Sequence, residues 1–293
     1  MMEDSGKNIG KITSVFGKTG IVESTYGIQL NFIVKSRKLK PVVGDNVHWI
    51  TQQDGTVIVT KVLEPTNQLE RLNQYGQQQV IASNVTQILL ITAPLPKPNF
   101  LLIDKFLLVS ELMDCDLSII FNKIDLAENN DCQLELYQKL GYSLVLISAI
   151  EKINLSSFFN LLSQQVTVLV GQSGVGKSTI INLLIPKDKI RTEKLSNKNQ
   201  KGKHTTSTST MHSVEGNGYL IDTPGVENLN PKIVDIKEIE TGFREITSLS
   251  NACKYRDCIH INEPNCAVNQ ALVNNEITTQ RYNNYKKLVE EYK

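Results

Sequence analysis

The sequence of 293 residues lacks a hydrophobic run long enough to span a membrane. Its longest apolar stretches, ILLITAPL and LSIIF, have the length of strands, whereas a membrane helix needs about 20 apolar residues. The amino terminus, MMEDSGKN, also lacks the hydrophobic stretch of a secretory signal. We therefore expect a cytoplasmic protein that contacts no membrane.

An excess of charge of one sign is also missing, because 31 basic side chains stand against 30 acidic ones. This balance excludes an overall nucleic-acid signature, so any contact with RNA must come from local patches. Two basic patches are present, KSRKLK at 35–40 and the segment 187–203, and each by itself also fits a solvated face. The second patch combines seven basic residues with two acidic ones: Lys187, Lys189, Arg191, Lys194, Lys198, Lys201 and Lys203 against Asp188 and Glu193.

Cysteine is scarce, and five cysteines in a cytoplasmic chain argue against a disulfide framework. Four metal-binding side chains nevertheless fall close together, in the pattern C-x₄-C-x-H-x₅-C: Cys253, Cys258, His260 and Cys266. Thiolates and an imidazole at short spacing suit tetrahedral zinc, and four protein ligands make a closed, structural site. The sequence therefore predicts one structural Zn²⁺ that stabilises a small, mostly helical C-terminal domain, 236–293.

The amino-terminal third has short β-branched stretches separated by turns with glycine, and it has no helical period. Five such stretches between 9 and 63 favour a small closed barrel of the oligonucleotide-binding (OB) type, which we assign to residues 1–66. An SH3-like barrel is the alternative. The segment EPTNQLER after the barrel is expected to be a linker.

Strand and helix patterns alternate from about residue 80 to residue 235, which predicts a parallel sheet covered by helices on both faces. We assign this α/β domain to residues 67–235. Within it, residues 187–210 have no apolar period and are expected to form a mobile loop. The predicted strands cover 85–93, 117–125, 143–149, 166–171 and 218–225, and the predicted helices cover 100–114, 132–140, 155–163 and the stretch from 177 to 185.

A glycine-rich loop, GQSGVGKST, lies between one of these strands and the next helix. In the pattern G-x-x-x-x-G-K-S the glycines let backbone N–H groups point at a phosphate, and the helix adds its positive end. Lys177 is expected to reach the β- and γ-phosphates, and Ser178 to bind Mg²⁺. The predicted loop residues are Gly171, Gln172, Ser173, Gly174, Val175, Gly176, Lys177, Ser178 and Thr179.

Two further segments complete a predicted phosphate and magnesium site. DTPG ends a later strand, so Asp222 is expected to bind Mg²⁺ through a water and the Gly225 N–H to contact the γ-phosphate. GKHTT lies between the two motifs, and either Thr205 or Thr206 is the expected second protein ligand of Mg²⁺.

The motif NKID predicts recognition of guanine. The carboxylate of Asp125 can accept two hydrogen bonds from the guanine edge, Asn122 can bond N7, and the Lys123 stem can cover the base. Ile124 completes the motif. Ser148 and Ala149 come directly after the next predicted strand, where a backbone N–H can meet guanine O6. Together these residues favour GTP and GDP over adenine nucleotides.

The order of the motifs is inverted, because NKID precedes the glycine-rich loop. A site depends on which strand ends meet and not on their order along the chain, so a circular permutation explains the inversion. The permutation also places DTPG just before the cysteine cluster, which suggests that loss of the γ-phosphate moves the attached domain.

With the barrel in front and CKYRDCIHINEPNC behind, the chain resembles the small ribosomal subunit biogenesis GTPase A (RsgA) family. The likeness covers nearly the whole sequence and includes KPVVGDNVHW, IASNVTQIL, FNKIDL, GQSGVGKST, GKHTT and IDTPGV. It implies association with the small ribosomal subunit and its rRNA, through the barrel and the zinc domain. The basic segment before KPVVGD is shorter than is usual for the family, so we expect fewer or weaker barrel contacts to RNA.

The residue after the switch glycine is Val226, which cannot orient a water as a glutamine does in many GTPases. We therefore expect slow hydrolysis by the isolated protein, and the resemblance implies that His204 positions the water. The leading hypothesis is a monomeric GTPase that acts as a timer in late subunit maturation. A non-catalytic RNA-docking placeholder and an ATP-using P-loop protein are the alternatives. The terminal stretch TTQRYNNYKKLVEEYK predicts a helix on which Arg281, Lys286 and Lys287 contact RNA or form a solvated face.

Overall fold

A computed structural model of the chain describes residues 8–72, 75–127, 134–185, 209–223 and 233–293. Within these ranges eleven strands form one continuous sheet, and two more form a separate hairpin. Across the same ranges, no helix combines the length and the apolar character that crossing a membrane requires.

Five short strands close the amino-terminal barrel: β1 (Asn8–Phe16), β2 (Thr19–Ser24), β3 (Gln29–Ile33), β4 (Asn46–Thr51) and β5 (Val57–Val62). The order is β1-β2-β3-β5-β4 and back to β1, with β3 and β5 parallel. This is the connectivity of an OB barrel, whereas an SH3-like meander has no such parallel pair. The prediction of an OB barrel is confirmed. Alternating residues such as Ile12, Val22 and Phe32 fill its interior.

The predicted linker, EPTNQLER, holds most of the first strand of a hairpin. Strand β6 (Gln68–Leu72) pairs with β7 (Gln78–Ser83) in antiparallel register. Asn67, just before β6, donates its side-chain amide to the carbonyl oxygens of Val85 and Met113, at 2.8 and 3.0 Å. Ser83 of β7 donates its N–H to the Val43 carbonyl oxygen of the barrel at 2.9 Å, so the segment connects the barrel to the α/β domain. The segment is rich in polar residues, so it lacks the alternation of apolar and polar residues from which a strand is predicted.

The α/β domain has six strands, of which five run parallel. They are β8 (Gln87–Thr92), β9 (Asp116–Phe121), β10 (Ser143–Leu146), β11 (Val166–Gly171), β12 (Thr210–Val214) and β13 (Gly218–Asp222). The order is β10-β9-β8-β11-β13-β12, and β12 is antiparallel to β13. If β11, β12 and β13 are renumbered 1 to 3, and β8, β9 and β10 are renumbered 4 to 6, the strand order reads 6-5-4-1-3-2. Only the point at which the chain begins distinguishes this sheet from an unpermuted one, so the predicted permutation is confirmed.

Helices cover both faces of this sheet, as predicted. One face carries α1 (Phe100–Leu112) and α2 (Glu135–Lys139), and the other carries α3 (Leu155–Leu161) and α4 (Lys177–Leu184). Strand β12 was not predicted, and Thr210, its first residue, was assigned to the mobile loop. The rest of that loop, up to residue 208, lies outside the described residues. Strand β12 joins the barrel strands to the α/β strands within this sheet, because Thr210 pairs with Ser14 of the barrel strand β1.

The carboxyl-terminal part packs on α1. It contains a 3₁₀ segment, Ile236–Gly242, and then α5 (Arg244–Ser250), α6 (Ala267–Val273) and α7 (Thr279–Glu291). Its hydrophobic core includes Leu108 of α1. Gly242 lies so close to α1 that a Cβ there would come within 2.7 Å of the Leu108 Cα. The predicted helical C-terminal domain is confirmed.

A buried ion pair fixes this contact. Arg281 of α7 is 1% exposed and donates to the Asp104 carboxylate of α1, which is fully buried, at 2.5 Å. Tyr137 and Asn284 donate to the same carboxylate at 2.6 and 2.7 Å, and Arg281 also donates to both oxygens of Glu245. Burial lowers the pKa of Arg281, but the carboxylates of Glu245 and Asp104 raise it by more. The net shift of the pKa is therefore upward. The prediction that Arg281 contacts RNA or solvent is wrong, because its side chain is buried and paired with two carboxylates.

We predict that Arg281→Met lowers the free energy of unfolding by about 3–5 kcal/mol, because it leaves the buried Asp104 carboxylate without its counter-ion. Lys287→Met, at an exposed position of the same helix, should change it by less than about 0.5 kcal/mol. Urea denaturation monitored by circular dichroism measures both. Equal effects of the two substitutions would show that the buried pair does not hold α7 in place.

Candidate functional site

The glycine-rich loop joins the end of β11 to the start of α4. Three of its glycines have positive φ angles, 137° at Gly171, 81° at Gly174 and 100° at Gly176. A Cβ on Gly171 would come within 2.1 Å of the Ile91 carbonyl oxygen, and one on Gly176 within 2.4 Å of the Asn122 amide nitrogen. The loop therefore requires glycine at these positions for space as well as for conformation.

The other residues of the loop differ in exposure. Ser173 and Ser178 are exposed, Gln172 and Thr179 are half-buried, and Val175 is buried. Lys177, the first residue of α4, donates its ammonium group to the carbonyl oxygens of Gly171 and Gln172, both at 2.6 Å. Its positive charge therefore lies over the start of the loop, at the amino end of a helix, where a phosphate is stabilised.

Asn122 joins three loops of the predicted base-reading region. Its side chain is 2% exposed, donates to the Val175 carbonyl at 2.9 Å and accepts from the Ala149 N–H at 3.0 Å. Lys123, in the left-handed conformation, donates to the carbonyl oxygens of Gly174 and Leu95, at 2.6 and 2.8 Å. The predicted bracing of neighbouring loops by Asn122 is thus present in the geometry.

The remaining base-reading residues lie around this junction. Asp125 is exposed, and Ile124 donates its N–H to the Ile147 carbonyl at 3.2 Å. Ser148 is fully buried and its hydroxyl accepts from the Glu151 N–H at 3.1 Å. Sequence reasoning missed Ile150, an exposed apolar side chain directly after Ala149. The only signal for Ile150 in the sequence was its position directly after Ser148 and Ala149.

Asp222 is the last residue of β13, at the same edge of the sheet as the glycine-rich loop, since β11 and β13 are parallel neighbours. The carboxyl ends of β8, β9, β11 and β13 thus bring the described motifs together, as expected of ligand sites in parallel sheets. The predicted residues that lie outside the described part of the chain are His204, Thr205, Thr206, Gly225 and Val226.

A cleft of about 900 Å³ lies at the opposite ends of the strands, near Thr86, Asp116 and Ser143. It is larger than a nucleotide needs, but none of the predicted nucleotide-binding residues lines it. Because parallel sheets bind ligands at their carboxyl ends, we do not assign the nucleotide to this cleft.

The four predicted zinc ligands come together in the carboxyl-terminal part. Their ligand atoms all lie within 4.8 Å of one another. The Nδ1 atom of His260 lies 3.3–3.4 Å from the three cysteine sulfurs, and the sulfurs of Cys253 and Cys266 are 3.8 Å apart. Tetrahedral zinc with bonds of about 2.3 Å to sulfur places two sulfurs about 3.8 Å apart. The cluster therefore fits a structural zinc ion.

The sequence model of the RsgA GTPase family matches residues 62–232, more than half of the chain. The chain belongs to the RsgA GTPase family. The small ribosomal subunit biogenesis GTPase RsgA of Histophilus somni (strain 129Pt) is 34% identical over 289 residues, which cover 96% of this chain and 83% of that protein. RsgA 2 of Bacteroides thetaiotaomicron is 35% identical over 274 residues, 90% of this chain and 88% of that protein.

Two solved structures share the whole RsgA architecture. YjeQ from Thermotoga maritima superposes with a TM-score of 0.78 at 27% identity, over 97% of this chain and 98% of its own. YloQ, described as a circularly permuted GTPase, superposes with a TM-score of 0.76 at 26% identity, over 99% of this chain and 97% of its own. The family resemblance inferred from the motifs is confirmed.

Further hydrogen bonds hold the metal ligands of this RsgA chain in place. The Nε2 atom of His260 lies 2.9 Å from a carboxylate oxygen of Glu240, which orients the ring so that Nδ1 faces the cysteines. Tyr282 and Tyr285 of α7 donate to the carbonyl oxygens of His260 and Ile259, at 2.8 and 3.1 Å. Sequence reasoning missed Glu240. It lies 20 residues before His260, among several acidic residues, and nothing local distinguishes it.

We predict that Glu240→Ala weakens zinc binding about 10–100-fold, because carboxylates that orient a ligating histidine have effects of that size. Glu290→Ala, at an exposed position of α7, is the control and should leave the affinity unchanged. Competition with a chromogenic chelator gives the affinities, and elemental analysis should find about one zinc per wild-type chain. Less than half an equivalent of zinc, or equal affinities of the two variants, would contradict the assignment.

Proposed function

We propose that this chain binds guanine nucleotide and Mg²⁺ and hydrolyses GTP to GDP and phosphate. The observation that carries the proposal is the joining of two motifs at one edge of the sheet. Asn122 and Lys123 of NKID hydrogen-bond to Val175 and Gly174 of the glycine-rich loop, although about 50 residues separate them in sequence. A base-reading loop and a phosphate loop that share these bonds are positioned to hold one nucleotide.

The roles of the phosphate-site residues derive from their chemistry. The backbone N–H groups from Gly171 to Thr179 and the Lys177 ammonium group would hold the phosphates. Ser178, Asp222 and either Thr205 or Thr206 would hold Mg²⁺, the aspartate through a water, and the ion would neutralise charge on the phosphates. Gly225 would donate its N–H to the γ-phosphate.

The base is expected to bind between the loops that Asn122 connects. Asp125 is exposed, so its carboxylate is available to accept from guanine N1–H and from the amino group. Among the side chains around it, the stem of Lys123 and the exposed Ile150 can cover the two faces of the ring.

We further propose that the partner is the small ribosomal subunit, as the names of the relatives suggest, and that hydrolysis times departure from it. Residues 1–66 and 236–293 would contact rRNA, and residues 67–235 would hold the nucleotide. Arg281 is withdrawn from the RNA-contacting residues because it is buried. Lys286 and Lys287 stay candidates. We propose a monomer that acts in the cytoplasm.

We predict that Asp125→Asn lowers the affinity for GTP at least about tenfold and shifts the preference to xanthosine triphosphate. The amide keeps one acceptor oxygen and gains a donor, so it can donate to the C2 carbonyl of xanthine but cannot accept from both N1–H and the amino group of guanine. Asp116→Asn, at the opposite end of the strand that precedes NKID, is the control. Isothermal titration with both nucleotides measures the change. Undiminished GTP binding by Asp125→Asn would show that NKID does not read the base.

We predict that small ribosomal subunits stimulate GTP hydrolysis and that His204→Ala removes most of the stimulation while GTP binding persists. A residue that positions water affects the transition state more than the ground state. Ribosomal RNA phosphates can neutralise the basic residues that surround His204 in the sequence.

Steady-state phosphate release at fixed salt, with and without subunits, tests this for the wild type, His204→Ala and the control Ser207→Ala. Absence of stimulation in the wild type would contradict the timer. Full stimulation of His204→Ala would show that another group orients the water.

A further inference from the structure

The segment that leads into α1 rests on the glycine-rich loop. We call residues 93–99 the lead-in segment. Gln172 of the loop accepts a hydrogen bond from the Asn99 N–H through its side-chain oxygen, at 3.0 Å. Lys123 donates to the Leu95 carbonyl and to the Gly174 carbonyl, and a Cβ on Gly174 would lie 3.6 Å from Pro96. One direct hydrogen bond, between Asn99 and Gln172, and one bridging lysine, Lys123, therefore connect the lead-in segment to the loop.

Asn99 also begins α1. Its side chain accepts from the Leu102 N–H at 3.2 Å and thus caps the helix, while its own N–H is donated to Gln172. One residue is therefore bonded to the phosphate loop on one side and to the first turn of α1 on the other. A displacement of the loop at Gln172 would therefore reach the start of the helix through Asn99.

The rest of α1 holds the metal-binding part. Asp104 forms the buried ion pair with Arg281 of α7, and Glu111 near the end of α1 pairs with Arg244 of α5 at 3.1 Å. Arg244 also lies over the Tyr142 ring, with its guanidinium carbon 4.0 Å from the ring centroid. Because these charged contacts connect α1 to both α7 and α5, we expect the three helices to move together.

We propose that Gln172 is a positioning residue that couples nucleotide binding at the glycine-rich loop to α1 and, through the Asp104–Arg281 pair, to the metal-binding part. The inference rests on the proposed binding of GTP. It assigns the Gln172 side-chain oxygen a role apart from the phosphates, because this oxygen is an acceptor, as phosphate oxygens are, and it accepts from the Asn99 N–H. It also replaces the expectation that the segment after DTPG alone moves the attached domain. Coupling of this kind needs a physical element that both sites contact, and α1 is that element.

The test is amide hydrogen exchange of the full chain, without nucleotide and with a saturating non-hydrolysable GTP analogue and Mg²⁺. In the wild type we expect the analogue to slow exchange in residues 99–104 and in α7. In Gln172→Met, at saturation, the slowing in α7 should fall by at least about half, and the Asn99 amide should exchange about two- to tenfold faster. Gln172→Glu keeps an acceptor oxygen and should restore the response.

A second pair of variants removes the same bond from the other side. Asn99→Ala loses the helix cap but keeps the N–H, whereas Asn99→Pro loses both. We expect the response of α7 to persist in the alanine variant and to disappear in the proline variant. Comparing the two separates loss of the hydrogen bond from loss of the cap.

Three results would overturn the proposal. They are a wild type that binds the analogue with no change in α7, a Gln172→Met response equal to that of the wild type, and equal responses of the two Asn99 variants. Direct titration of the analogue is carried out alongside. Failure of the wild type to bind it would refute the proposed function itself, and so is distinguishable from loss of the coupling alone.

Discussion

The hydrogen bonds of the buried Asn122 side chain are the interaction on which the proposed nucleotide site depends. It joins the loops at the ends of β9, β10 and β11, through one donated and one accepted hydrogen bond. Water cannot replace these bonds at a side chain that is 2% exposed, so the three loops are held in one arrangement. The same constraint explains Gly176, since any Cβ there would collide with the Asn122 amide nitrogen.

Circular permutation is compatible with this site because the bonds of Asn122 connect strand ends and are indifferent to chain order. Permutation does change which part of the protein follows the last strand of the site in sequence. The carboxyl-terminal helices come after β13 in sequence, but they pack on α1, which lies earlier in the chain. The buried pair of Asp104 and Arg281 therefore decides where these helices lie, and the chain connection alone does not.

The metal cluster and the ion pair belong to the same packed unit. Glu240, which orients His260, lies in the 3₁₀ segment that packs on α1, and Tyr282 and Tyr285 reach the cluster from the helix that carries Arg281. The small helical unit thus combines its hydrophobic core with the cysteine and histidine cluster and with a buried charge network. Both depend on contacts between residues that are far apart in sequence.

The barrel, the permuted α/β domain, the phosphate and base-reading motifs and the four metal ligands could all be predicted from the amino-acid sequence. Each of these depends on the local spacing of residues or on strand and helix periodicity, and both can be seen within a single segment of the sequence. The pairing of β12 with the barrel, the hairpin in the expected linker, the role of Glu240 and the burial of Arg281 were decided by tertiary contacts. Arg281 and Lys287 look alike in sequence, because a helix has an inner and an outer face only once its partner is in place. The carboxylates of Asp104 and Glu245, which are 177 and 36 residues from Arg281 in sequence, bind its guanidinium group inside the protein.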